Sequence, residues 1–293
     1  MPRPSRLSLA EKEIAELLSG ASQKIYSDAQ LAKLLDENRT NWKLSDRTRV
    51  TDFISFLKRR ELKEHEIRSD NYSRQVKRYS WGKPSPLALA VSIKPRAHLC
   101  HATAAAIHGL GSFSRATIYI NAEQSPKRLS RGSLTREGIN RAFSAKQRQS
   151  NLVYTYNRTS IVIIAGKNTN CFGVEEIIGP DAETIRVTNL ERTLIDIVVR
   201  PAYAGGTSQL LKAYRFAKNR ISIDRLLNIL KTLDYAYPYH QSIGFLMQRA
   251  GYSESATARL RALGLKHDFY LAHGIHEPEY SEKWRLFYPR HIK

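Results

Sequence analysis

The chain has 293 residues, with 47 Lys+Arg against 27 Asp+Glu, a formal net charge of +20 at pH 7. A composition of 42% hydrophobic and 25% charged residues without low-complexity tracts excludes a disordered chain and leaves room for two cores. Two cysteines, Cys100 and Cys171, exclude a disulfide scaffold and a Cys-based zinc cluster, while the charge favours polyanions, nucleic acid first, through phosphate contacts and counterion release.

The opening MPRPSRLSLAEKEIAELLSG has no continuous apolar core of a secretion signal. No segment approaches the roughly 18 uncharged apolar residues of a membrane span, so the expectation is a cytoplasmic protein without a membrane partner. A first helix is predicted over 9–18, where Leu9, Ile14, Leu17 and Leu18 approximate one apolar stripe. A second starts after Ser27, with Gln30 placed to complete a capping box and Leu31, Leu34 and Leu35 on its apolar face. A polar stretch, 36–44, leads to a third helix capped by Ser45 or Asp46, in which Val50, Phe53, Ile54 and Leu57 recur at i, i+3, i+4 and i+7.

The opposite face of that third helix carries Thr48, Asp52, Ser55 and Arg59, flanked by Arg47, Arg49, Thr51 and Lys58 and followed by Arg60. Hydroxyls and cations of this kind reach base edges and phosphates from a helix in the major groove. Two strands, 61–68 and 74–82, then flank a polar turn, with Leu62, Ile67, Val76, Tyr79 and Trp81 able to bury one side. Arg74, Lys77 and Arg78 bring positive charge to this hairpin. Three helices followed by a basic hairpin is the order of a winged helix-turn-helix that binds double-stranded DNA, although Lys58-Arg59-Arg60 also suits a solvated last turn favoured by the helix dipole.

Gly82, Pro84 and Pro86 mark a boundary, so the expected domains are a winged helix-turn-helix over 1–84 and a larger α+β domain over 85–293. The first holds 18 basic and 12 acidic groups, whereas 94–148 holds 10 basic and 2 acidic, so the densest excess lies downstream. That stretch reads equally as a second polyanion-facing surface or a solvated loop and helix at 135–145. A helix is predicted over 99–110, a strand over 117–121, and a hairpin from 152–156 and 161–165 through Asn157-Arg158. A short strand from Ile185, a helix capped by Asn189, helices over 207–217, 223–233, 241–249 and 254–262, and a strand at 284–288 close the chain. The fold class is therefore α+β: a winged helix followed by a larger domain with a small sheet and a helical C-terminal part.

The segments RAHLCHATAAAIHGL at 96–110 and VTNLERTLIDIVVRPAYAGG at 187–206, behind a winged helix, resemble the AbiEi family, antitoxins of bacterial type IV toxin–antitoxin and phage-defence systems. The resemblance implies a regulator that represses its own operon and counteracts a cognate nucleotidyltransferase toxin; with the third helix in the major groove, two molecules on repeated half-sites of that promoter are expected. It marks His108, Gly109, Glu191, Arg192 and Asp196 as family-motif positions of structural or antitoxin role. The link at 36–44 is longer than the compact family pattern.

No catalytic residue, metal or cofactor is expected, and the chain is not expected to be an enzyme. Arg192 and Asp196, four apart, read as an ion pair, and Gly205-Gly206 as a turn. The run 165–169 has a Gly-Lys but lacks the earlier glycine and the following Ser or Thr of a P-loop. Gly111-Ser112 is not followed by the Asp-x-Asp of a nucleotidyltransferase. His98, His101 and His108 could share a helix face but have no convergent carboxylate. Pro180-Asp181 with Glu183 resembles a metal-dependent nuclease motif, except that Ile185 stands where a Lys is needed. That nuclease and a one-component, ligand-responsive regulator are the alternatives to the antitoxin.

Overall fold

The computed structural model describes residues 5–126, 134–179 and 182–292; Pro180-Asp181 lie outside them. The fold is α+β. Its elements in chain order are α1 (Arg6–Leu9), α2 (Glu11–Gly20), β1 (Ile25–Tyr26), α3 (Asp28–Asn38), α4 (Val50–Lys58), β2 (Leu62–Ser69), β3 (Gln75–Trp81), α5 (Pro86–Ser92), β4 (His98–Leu99), α6 (His101–Ile107), β5 (Thr117–Asn121) and α7 (Arg136–Ser144). There follow β6 (Val153–Tyr156), β7 (Thr159–Ile164), β8 (Val174–Ile178), β9 (Thr184–Thr188), α8 (Leu190–Val199), a 3-10 turn, α9 (Thr207–Ala217), α10 (Ile223–Leu233), α11 (Tyr239–Arg249), α12 (Glu254–Arg261), β10 (Phe269–Tyr270), β11 (Glu279–Ser281) and β12 (Leu286–Tyr288). No helix among the described residues is long and apolar enough to cross a membrane.

The chain divides into two units. The first comprises Met1–Ala97, Leu152–Ile161 and Glu176–Ile185; the second comprises His98–Asn151, Val162–Glu175 and Arg186–Lys293. In the first, β3 pairs antiparallel with both β1 (Ile25 opposite Ser80) and β2 (Leu62 opposite Trp81), and β2 continues to β6 (Arg68 opposite Thr155). Helices α2, α3 and α4 pack over one core containing Ile14, Leu18, Leu31, Leu35, Phe53 and Leu57. Ser27 forms the expected capping box with Gln30.

Three local expectations change. The first helix breaks at Ala10 into α1 and α2. The stretch expected as a polar link, 36–44, puts two residues into the core: Trp42 and Leu44 are buried, and Trp42 lies 5.7 Å from Phe53, centroid to centroid. Helix α4 is capped by neither Ser45 nor Asp46; Arg49 is its N-cap residue and makes no side-chain cap bond. The prolines at 84 and 86 bracket a cap, since the Ser85 hydroxyl accepts from the Ala88 N–H and Pro86 opens α5, where the missing N–H has no role.

In the second unit β5 pairs antiparallel with β4, and β4 pairs parallel with β9 through Leu99 and Val187. His98 and Leu99 form this two-residue strand instead of starting the helix expected over 99–110. A small sheet of β10, β12 and β11 pairs β12 parallel to β10 and antiparallel to β11. The main core gathers α8 to α11 around Leu194, Ile197, Leu210, Tyr214, Ile243 and Trp284.

Gly244 lies in α11 directly under the fully buried Trp284 ring, which a Cβ at that position would strike. Gly244→Ala gains about 1 kcal/mol of helix propensity but overpacks a core, which costs about 1–3 kcal/mol. A lower urea midpoint for Gly244→Ala, at unchanged m-value, is the expected outcome.

Candidate nucleic-acid interface

Helix α4 buries Phe53, Ile54, Phe56 and Leu57, so its remaining face is open to solvent. Thr51, Asp52, Ser55, Lys58 and Arg59 are exposed on it, and Arg47 and Arg49 are exposed just before it, with Thr48 half-buried. Arg74 and Lys77 are exposed on the β2–β3 hairpin. The predicted residues thus share a surface of one unit, but their charges are not equally available.

Four cations are committed to protein partners. Lys58 and Lys77 both pair with Glu64, at 2.7 and 3.2 Å, bridging the end of α4 to the hairpin. The Lys58 hydrogen bond first, with that of Lys77 behind it, holds the Glu64 carboxyl below the usual carboxylate range against the desolvation that burial brings. Arg60 bonds Glu11 with both Nε and Nη2. The Arg78 guanidinium donates to the Ser92 carbonyl at 2.9 and 2.7 Å and to the Ile93 carbonyl at 3.0 Å, neutralising the C-terminal end of α5. By contrast, the side chains of Arg47, Arg49, Arg59 and Arg74 have no hydrogen-bond or ion-pair partner among the described residues.

His65, facing the sheet, was not anticipated. Its ring nitrogens lie 2.7 Å from the Tyr156 hydroxyl and 2.8 Å from the Ser80 hydroxyl, and burial followed by the nearby Lys63 charge lowers its pKa. Paired at both nitrogens, it fastens β2 to β3 and β6.

The family-motif residues belong to the second unit. Every residue of α8 from Glu191 to Val198 is buried. The Arg192 Nε donates to Asp196 Oδ1 at 2.8 Å, with side chains only 3% and 5% exposed, and its Nη1 donates to the Phe172 carbonyl at 2.8 Å. Glu191 accepts from the Ser222 N–H at 2.9 Å, at the start of α10. Glu123 accepts from the N–H groups of Thr169 and Cys171, and the Thr169 hydroxyl lies 3.4 Å from Arg192. His108 sets Nε2 2.7 Å from the Thr188 carbonyl, and Gly109 follows at φ +64°. These contacts fasten helices to one another; none of them exposes a reactive group.

The histidine trio does not share a helix: His98 is in β4, His101 begins α6 and His108 follows its end. No group of three metal-ligating side chains occurs among the described residues. Lys167, in the run compared with a P-loop, donates to the carbonyls of Leu233 and Asp234 at 2.7 and 2.8 Å and so closes the end of α10. Burial, then the charges of Arg200 and Arg192, push His101 down to about 3.

No family model matches the chain, and no curated protein does. Among solved structures it is similar to the RV2827C protein from Mycobacterium tuberculosis, at 15% identity over 98% of this chain and 92% of that one, with a TM-score of 0.49.

Two measurements follow from these environments. Arg192→Ala leaves Asp196 buried without its cation, a change that costs about 3–5 kcal/mol, whereas exposed, unpaired Arg59→Ala stays within about 0.5 kcal/mol of the parent by denaturant unfolding. His101 is neutral in the fold and protonates near its ordinary 6.5 when unfolded, so its contribution is complete above about pH 6.5 and is lost as pH falls toward 3. The unfolding midpoint therefore drops on acidification below about pH 6.5, and the neutral variant His101→Asn shows a shallower drop.

Proposed function

We propose that the first unit is a winged helix-turn-helix that binds double-stranded DNA, and that the chain is a DNA-binding antitoxin. The observation that carries the DNA reading is the order helix, β1, helix, helix, hairpin, with β1 paired to β3 and with Arg47, Arg49, Arg59 and Arg74, unpaired among the described residues, exposed at the two ends of α4 and on the hairpin. In that arrangement α4 lies in the major groove with Thr51 and Ser55 toward base edges, and Arg74 meets the adjacent backbone. Asp52, on the same face, offers an acceptor to a cytosine amine.

The antitoxin half of the reading rests on the resemblance of 96–110 and 187–206 to the AbiEi family, and it assigns repression of the chain's own promoter to the first unit and neutralisation of a nucleotidyltransferase toxin to the second. The buried setting of Glu191, Arg192 and Asp196 supports a scaffold role for that motif. Neutralisation is then carried by surface groups of the second unit. Co-expression with an adjacent nucleotidyltransferase-like gene is expected to restore growth; toxicity undiminished by the chain overturns this half.

The division of the cations makes the DNA reading specific. Combined Arg47→Ala, Arg49→Ala and Arg59→Ala is expected to abolish the mobility shift of the upstream region and to reduce the slope of log K against log salt by about 0.9 for each phosphate no longer neutralised. Arg78→Gln is expected to lower thermal stability first, because it frees the carbonyls at the end of α5. Unchanged affinity in the triple variant rules out α4 as the reading helix.

A further inference from the structure

The second unit has a cleft of about 560 Å³ among the loop before β6, the end of α8 and the segment between α10 and α11. Its walls include Arg148, Arg200, His273 and four tyrosines, among them Tyr203, Tyr235 and Tyr237. The volume is within the range of about 300–1,000 Å³ typical of small-molecule sites.

The chemistry of the walls is selective. Arg200 is half-buried, and among the described residues no carboxylate or carbonyl pairs with its guanidinium; a desolvated guanidinium in that state is a receptor for an anion. Arg148, exposed at the rim, also has no protein partner among the described residues. His273 is held in place by stacking on Phe143 at 4.2 Å. Tyr203 is held rigid by its hydroxyl, which accepts from the Ser150 N–H at 2.6 Å, and by edge contact with His101 at 5.5 Å. Burial, then the Asp196 charge, push the Tyr235 hydroxyl up, so it remains a neutral donor. Cationic side chains beside fixed aromatic rings match a ligand that joins a phosphate to a flat heteroaromatic ring.

We propose that this cleft binds a nucleotide, with its phosphate on Arg200 and Arg148 and its base against the tyrosine wall. A free nucleotide and the end of a single RNA strand present the same chemistry. Base stacking on an aromatic side chain is worth about 1–3 kcal/mol and tolerates any base, so the site discriminates phosphate and ring more than base identity. This inference stands apart from the DNA reading, since every residue in it belongs to the second unit.

Isothermal titration of the full chain with AMP, UMP, ribose 5-phosphate and a short single-stranded oligoribonucleotide tests it. AMP and UMP are expected to bind with similar affinity, and ribose 5-phosphate about tenfold more weakly. Tighter binding of the oligonucleotide than of either monomer assigns the site to a strand end, and equal or weaker binding assigns it to free nucleotides. Arg200→Gln is expected to lose binding at least about tenfold, and Arg148→Gln, at an exposed position where folding is not at stake, to weaken it by about three- to tenfold. A thermal melt of each variant separates loss of binding from loss of fold. Absence of binding by all four ligands, equal binding of ribose 5-phosphate and AMP, or wild-type affinity in Arg148→Gln overturns the proposal.

Discussion

A helix buried on every side has to satisfy its own charges from its neighbours, and α8 is such a helix. Glu191, Arg192 and Asp196 lie within two turns of it and are all nearly inaccessible to water. Each is held by a different part of the second unit: Asp196 within the helix, Phe172 and Thr169 from the loop before β8, and Ser222 from the start of α10. A buried ion pair gains little net stability over an apolar replacement, but losing one partner is expensive. The network therefore fixes where the loop at 169–173 and helix α10 are placed relative to α8. Gly173, at φ +74° where an added Cβ would press on the Arg192 side chain, belongs to the same constraint.

The first unit is organised differently, around how its cations are distributed. Those on the helix–hairpin seam and at the end of α5 are neutralised internally and hold elements together, while those before α4, at its last turn and at the hairpin start face solvent alone. Surface ion pairs of this kind are individually weak, yet they fix the position of the hairpin beside α4. The field such a surface projects is smaller than its Lys and Arg count, because Glu11 and Glu64 cancel part of it.

Local signals in the sequence were readable where the chemistry is local. Ser27 with Gln30 and Asn189 before α8 cap the helices that they were expected to cap, and Asn157 turns the β6–β7 hairpin at φ +54°. The two-residue strands β1 and β4 have no periodicity to detect, since pairing with a distant strand is all that defines them. Ser85-Pro86 carried a readable cap signal, but prolines flanked by Gly and Lys read more readily as a boundary. Which arginines are available was not legible at all: the partners of Arg60 and Arg78 stand 49 and 14 residues away. Nor could spacing reveal that Arg200 ends α8 with no carboxylate paired to it among the described residues.

The stretch between α3 and α4 has a consequence for how the chain can vary. Because Trp42 and Leu44 are anchored in the core and Arg39 reaches the Ser45 carbonyl at 3.0 Å, its length is set by two hydrophobic fixtures instead of by the distance to be spanned. Loops normally absorb insertions and deletions at little cost. This one behaves as a measured spacer: removing or adding a single residue between Asn38 and Leu44 would shift an indole out of its socket beside Phe53 and re-aim α4 as a rigid rod.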